Sequence, residues 1–393
     1  MCNYGCMWKR SYWVGALAEA WKTRPLIWLS GVRRAGKTVL SQSLPSAAYF
    51  DCELPRVRER LADPESFFAS VGVRHVVLDE VHRLADPSEV LKIAADHFPK
   101  LRVLATGSSQ LSASTRFRDR LTGRKWEIYL TPMVHRDLVD FGREGLDHRL
   151  LRGGLPPFFL AGAAPDRAFQ EWMDSFWAKD IQELFRIERR ASFLKFAELL
   201  LVQSGGMFEA TSFAKPCEVS RTTIANYLAV LEESLFCHVV RPFSSNPGRE
   251  IVAAPKVYGF DTGFVAYYRG WSELRAEDHG NLWEHVVLNE IHAARQARDV
   301  LYWRDKQGHE VDFVVAARRS APLAIECKWK ASAFDPANML LFRKGYPRGT
   351  NLVVASDVDR PYVRTHRGLK VRYVGLGNLP AALDEGASRE VDR

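Results

Sequence analysis

The 393 residues predict an α/β fold in three parts. A doubly wound parallel-sheet domain is expected over 1–152, a helical winged-helix module over 153–270, and a second α/β domain over 271–393. Three observations carry this reading. Short apolar strands alternate with helices through the first 130 residues, the pattern of a parallel sheet covered on both faces. From Ala168 to Leu235 the periodicity is helical. After Asn281 strands return.

Taken in order, Trp13, Val14, Leu17 and Trp21 line one face of a lead-in helix. Strands are expected at Leu26–Ser30, Ala47–Cys52, Arg74–Asp79, Leu101–Thr106 and Trp126–Leu130, with helices at Lys37–Leu44, Arg56–Val71 and Pro87–His97 between them. The Gly/Pro-rich stretch Gly153–Pro157 marks a boundary. Ala210–Ala214, then Ser220–Glu232 opening on a Ser cap, then Cys237–Val240 read as a winged helix-turn-helix, with Ser244–Glu250 as the wing tip. A helix near Asn281–Ala297 precedes strands at Val300–Arg304, Glu310–Ala316, Leu323–Trp329, Leu352–Ala355 and Val371–Val374.

Composition narrows the function classes. With 47% hydrophobic and 26% charged residues the chain reads as globular, and no apolar run approaches the ~20 residues of a helical membrane span. Six cysteines without a CxxC pair, and no secretory signal, point to reduced thiols in the cytoplasm. The net charge of +8 is concentrated. Residues 295–372 hold 16 Lys+Arg against 8 Asp+Glu, which reads either as a solvated basic face or as a surface for nucleic-acid phosphates.

The strongest motif is Gly31-Val-Arg-Arg-Ala-Gly36-Lys37-Thr38, a full P-loop between an expected strand and an expected helix. Its glycines let amides close around phosphate oxygens. Lys37 neutralises the β/γ oxygens, and the Thr38 hydroxyl serves Mg²⁺. Gly31, Arg34, Ala35, Gly36, Lys37, Thr38 and Val39 are the candidate ATP contacts. His75-Val-Val-Leu-Asp79-Glu80 supplies the second half, with Asp79 on the Mg²⁺ shell and Glu80 polarising the attacking water. The tip of the next strand, Thr106 and Ser108, is placed to touch the γ-phosphate, or else simply to cap a helix. Of the arginines that follow, Arg124 is the candidate finger for a neighbouring subunit's nucleotide.

The P-loop, Val-Val-Leu-Asp-Glu-Val-His, Ala-Thr-Gly-Ser-Ser and Leu-Thr-Gly-Arg together resemble a prokaryotic family of AAA+-type ATP-binding proteins with a C-terminal domain of poorly defined function. Lys256-Val-Tyr-Gly-Phe-Asp261-Thr-Gly263 is similar to a signature of that family. The resemblance implies ATP and Mg²⁺ as cofactors and ATP-dependent homo-oligomers.

A second acidic set lies near the C-terminus. Asp312 and Glu326 sit on strands joined by a short hairpin, with Lys328 on the same face as Glu326, and Glu284 on the preceding helix. This resembles the PD-(D/E)xK, restriction-endonuclease-like fold, although no proline precedes Asp312. Glu284, Asp312 and Glu326 are then candidate ligands of a second metal site, and Lys328 the residue that steadies a water or the developing charge. The same acids also read as edge-strand groups paired with Lys328, or as the remains of an inactive platform.

The expected function is an ATP-hydrolysing AAA+-type protein acting on nucleic acid through its C-terminal domains. Two alternatives stand beside it: an ATP-gated scaffold for a protein partner, with an inactive nuclease-like domain, and a metal-dependent DNA nuclease licensed by ATP.

Overall fold

A computed structural model describes residues 9–107, 115–142, 145–162, 166–182, 185, 187–244, 254–297, 299–316 and 321–388. The first sheet is formed by β1 (Leu26–Ser30), β2 (Ala47–Asp51), β3 (His75–Asp79), β4 (Arg102–Thr106) and β5 (Lys125–Tyr129). All pairings are parallel, in the order β2-β3-β4-β1-β5. β1 is buried along its whole length and β3 and β4 in all but their first residue, as their apolar sequences require. The order seats β4 between β1 and β3, so Ser30, Asp79 and Thr106 end three adjacent strands on one edge of the sheet. Ligands of open α/β sheets bind at that edge.

The stretch read as one helix, Arg56–Val71, is two: Pro55–Arg60 and Pro64–Ser70. Pro64 cannot continue a helix but suits a first turn, and the Asp63 side chain caps the new start by accepting from the Ser66 amide at 3.2 Å. The helical region after Ala168 is also interrupted, by the two-residue strand β6 (Gly206–Met207).

The helices Ala210–Ala214 and Arg221–Glu233 form as expected, and Ser220 caps the second through the Thr223 amide. β7 (Cys237–Pro242) and β8 (Lys256–Gly259) are antiparallel. The expected wing tip lies outside the described residues beyond Ser244. β7 also runs parallel to β9 (Val300–Arg304). Through that pairing β6–β8 join β10 (Glu310–Val315), β11 (Leu323–Lys328), β12 (Asn351–Ala355), β13 (Tyr362–His366) and β14 (Leu369–Val374) in one nine-stranded sheet. The sheet therefore runs across position 270. Its order is β13-β14-β12-β11-β10-β9-β7-β8-β6. The 18-residue helix Asp278–Arg295 packs against β11 and inserts Leu282, Trp283, Val286, Val287 and Ile291 into the core. Among the described residues no helix is long and apolar enough to cross a membrane.

Candidate functional site

The P-loop follows β1 directly. Gly31 and Gly36 have φ of 152° and 98°. A Cβ on Gly31 would meet the Leu130 carbonyl oxygen at 2.6 Å, so only glycine allows the loop to leave the sheet here. Arg34 is exposed and left-handed at 64°, turning the loop between the glycines. Ala35 is buried, and its carbonyl accepts from Arg10 at 2.9 Å. Arg10 is itself buried, and its guanidinium also meets the Thr131 carbonyl and, at 2.5 Å, the Asp137 carboxylate. This braces the loop from below. Thr38 and Val39 are exposed at the start of the helix Lys37–Gln42.

Lys37 Nζ donates to the loop's own carbonyls, Gly31 at 2.7 Å and Val32 at 3.2 Å. Burial lowers its pKa, and Glu80, Asp180 and Asp79 offset part of that loss. Phosphate oxygens would replace those carbonyls as acceptors inside the same loop.

At the strand tips the predicted acids come together. Asp79 is buried, with both carboxylate oxygens held. Thr106 Oγ1 donates to one and Tyr49 OH to the other, the latter at 2.6 Å. Burial, reinforced by Asp79, holds the Tyr49 phenol far above its ordinary pKa, so it remains a donor. Thr106 Oγ1 also accepts from the Glu80 amide at 3.1 Å. Glu80 has a φ of 57°, an unusual backbone for a residue with a side chain. Its Oε2 lies 3.1 Å from His82 Nδ1. Burial raises the Glu80 pKa, but His82 and Lys37 outweigh it and keep the carboxyl ionised.

Ser108 lies outside the described residues. Arg124 does not join the nucleotide site of its own chain. It precedes β5 at the end where Lys125 pairs with Leu26, the far end of the sheet from the P-loop, and its Nε donates to Asp96 at 2.7 Å.

The C-terminal acids also meet, but as an ion-pair network. Lys328 Nζ donates to Glu326 at 2.7 Å and lies 3.6 Å from Asp312. Asp312 Oδ2 accepts from the Cys327 amide at 2.7 Å. Two residues of the motif that begins at Lys256, not among the expected site residues, complete the set. Lys256 reaches Glu310 at 2.8 Å and Glu284 at 3.5 Å, and Tyr258 OH donates to Glu284 at 2.8 Å. Burial and the neighbouring Asp312 raise the Glu284 pKa to about 7 and that of Glu326 to about 8. Among the described residues no group of three or more His, Cys, Asp or Glu is arranged to hold a metal ion. Of the acids expected to ligate a second metal, Glu284 and Glu326 each carry an ammonium partner, Lys256 and Lys328. Glu326 Oε1 is buried with no hydrogen-bond partner among the described residues.

The motif that begins at Lys256 thus serves two places. Its first half feeds the acidic network. Its second half clasps the chain before the middle region: Asp261 accepts from the Gly154 amide at 2.6 Å and the Gly263 amide at 2.9 Å. A Cβ on Gly263 would meet the Arg152 carbonyl oxygen at 2.5 Å.

A strand–P-loop–helix unit, with Asp79, Glu80 and Thr106 on neighbouring strand tips, defines a P-loop ATPase domain. A family model described as an AAA domain matches residues 23–139. Two models described as domains of unknown function, DUF8612 and DUF4143, match 143–275 and 279–373. The uncharacterized proteins Rv2008c of Mycobacterium tuberculosis and Mb2031c of Mycobacterium bovis are each 30% identical over 312 residues, 76% of this chain and 69% of theirs. The chain belongs to the family of these mycobacterial proteins, an AAA+-type ATPase family by its N-terminal domain. Among solved structures, the Bacillus subtilis DNA clamp loader delta protein is 11% identical with a TM-score of 0.27, covering 56% of this chain and 88% of its own. A Thermococcus gammatolerans assembly of McrB AAA+ hexamers with McrC is 10% identical with a TM-score of 0.27, covering 79% and 99%.

Proposed function

We propose that this protein binds ATP with Mg²⁺, hydrolyses it, and couples the cycle to nucleic acid held by its C-terminal half. One observation carries the hydrolytic reading: Thr106 joins Asp79 and the Glu80 amide at the tips of adjacent strands, beside the loop that holds Lys37. The loop fits a triphosphate, because its glycine backbone leaves room, Lys37 lies inside it, and Thr38 is open to solvent. Mg²⁺, when bound, neutralises charge on the transferring phosphoryl group. Thr38 and Asp79 are the residues that would hold it. Glu80, ionised, orients the attacking water and accepts its proton. Tyr49 fixes the Asp79 carboxylate.

Basic charge over 295–372 supports nucleic acid as the partner. The test is ATP turnover with and without DNA at several salt concentrations. Stimulation that fades with salt supports the reading, and turnover indifferent to DNA favours a scaffold for a protein partner. The buried Glu326 Oε1, which has no hydrogen-bond partner among the described residues, favours a second reading, metal-dependent cleavage. Nicking of DNA with Mn²⁺ that Asp312→Ala and Lys328→Ala abolish would support it.

ATP-dependent assembly belongs to the same proposal. For Arg124 to reach a neighbour's nucleotide, its pairing with Asp96 must break. Mixing Glu80→Gln and Arg124→Ala proteins restores turnover only if the arginine acts between subunits.

A further inference from the structure

The nine-stranded sheet ends in a two-stranded ribbon, β13 and β14, paired from Tyr362↔Tyr373 to His366↔Leu369. β14 pairs with β12 only from Arg372 to Val374. The stretch from Leu369 to Val371 is therefore held in the ladder by β13 alone, and the ribbon tip extends past β12. The turn is Arg367–Gly368, with φ of 50° and 86°. Positive φ at both central residues is the tight hairpin turn usually given to Asn-Gly. Here an arginine takes the unfavourable backbone, which sets its charge at the tip.

Between positions 360 and 372 the chain has Arg360, Arg364, Arg367, Lys370 and Arg372 and no Asp or Glu. Arg372 is neutralised by Glu385 at 2.5 Å. The other four are exposed, and among the described residues none of them forms a salt bridge. The Arg364 guanidinium lies 5.1 Å over the Tyr362 ring, which stacks on Tyr373 at 4.7 Å and 7°. Its direction is thus set before any partner arrives.

The root of the ribbon is stiff. Asn351 Nδ2 donates to the Lys370 carbonyl at 3.0 Å, and its Oδ1 accepts from Arg343 Nε at 2.7 Å. Arg343 is buried and also donates to the Thr350 carbonyl at 2.6 Å and the Pro322 carbonyl at 3.0 Å. Beside the ribbon runs an open groove of about 710 Å³, lined in part by Thr350, Tyr362, Val363 and Lys370.

We propose that the β13–β14 ribbon docks on duplex DNA, with Arg364, Arg367 and Lys370 on phosphates. This rests on the reading that the C-terminal half engages nucleic acid. The occupant follows from charge complementarity and shape. A B-DNA major groove, about 12 Å wide, admits a two-stranded ribbon whose strands lie about 4.8 Å apart. The largest exposed apolar side chain on the ribbon is a single valine, Val363, too little for a membrane anchor.

The experiment is fluorescence anisotropy of the full chain with a labelled duplex, titrated between about 50 and 200 mM salt. Each phosphate contact contributes about 0.9 to the slope of log K against log salt. The triple variant R364Q/R367Q/K370Q should lower that slope by about 2–3 and weaken binding at low salt by more than ~10-fold. Its ATP turnover without DNA should remain at the wild-type value, since the ribbon is outside the P-loop domain. Should the triple variant misfold, R367Q alone at the exposed tip should lower the slope by about 0.9. Unchanged slope and affinity in the variants, with DNA-binding wild type, would overturn the ribbon and leave the nucleic-acid reading standing. No duplex binding by wild type at low salt would overturn both. Tighter binding to phosphatidylserine vesicles or to a polyglutamate peptide than to duplex would also overturn it.

Discussion

Arg33 Nε donates to Asp180 Oδ2 at 2.8 Å, tying the nucleotide loop to a turn of helix 147 residues further along the chain. Trp172 reinforces the tie, its indole Nε1 donating to the Arg33 carbonyl at 3.1 Å. The Trp172 ring stacks on Phe260 at 5.0 Å, one residue before the Asp261 clasp. The loop is therefore in physical contact with the region that leads into the large sheet. Asp180→Ala removes the carboxylate from a half-buried arginine and should cost about 1–3 kcal/mol in urea unfolding. An unfolding midpoint equal to wild type would mean that the pair contributes nothing.

Tyr49→Phe removes one of the two donors on Asp79 and leaves a buried carboxylate oxygen unpaired. A loss of about 1–3 kcal/mol is expected on thermal or urea unfolding, together with a higher Mg²⁺ concentration for half-maximal turnover. The Mg²⁺ titration separates a role at Asp79 from a general loss of packing.

Lys256→Met should be the most disruptive change in the C-terminal network. It removes the ammonium from Glu284, which keeps only the Tyr258 hydroxyl, and from Glu310, which keeps Arg304 at 3.2 Å, in a largely buried setting where loss of one partner costs up to about 3–5 kcal/mol. Adding Glu284→Gln should return part of that loss. A double variant no more stable than the single would show that the two side chains act separately.

Glu290 gives a pH prediction with a fixed sign. Burial raises its pKa to about 8, although the His135 amide donates to it. The folded chain then keeps a proton that the unfolded chain releases near the ordinary glutamate value. Stability should fall as pH rises from about 4.5 towards 8, by up to about 1.4 kcal/mol per pH unit from this group. Glu290→Gln should flatten that decline in urea midpoints measured between pH 5 and 8.

The P-loop sheet was legible in the sequence because buried parallel strands are apolar throughout and the loop has a fixed spacing. The tip residues Asp79, Glu80 and Thr106 were found for the same reason. Tyr49 was not, since a tyrosine in a half-buried strand reads as packing until the register of β2 on β3 places it near Asp79. Lys256 and Tyr258 alternate on β8, and only the pairing of distant strands brings them to Glu284. The edge strand β13 was also missed: Tyr-Val-Arg-Thr-His has little apolar content, and its partner β14 supplies the ladder.

The proposed role of Glu80 is to drive hydrolysis at a site Lys37 builds. It is tested most directly by measuring ATP binding and turnover side by side in wild type, Lys37→Ala and Glu80→Gln. Lys37→Ala should lose binding. Glu80→Gln should bind ATP as wild type does and turn it over about 10²–10⁴-fold more slowly. Wild-type turnover by the Glu80→Gln protein would contradict that role.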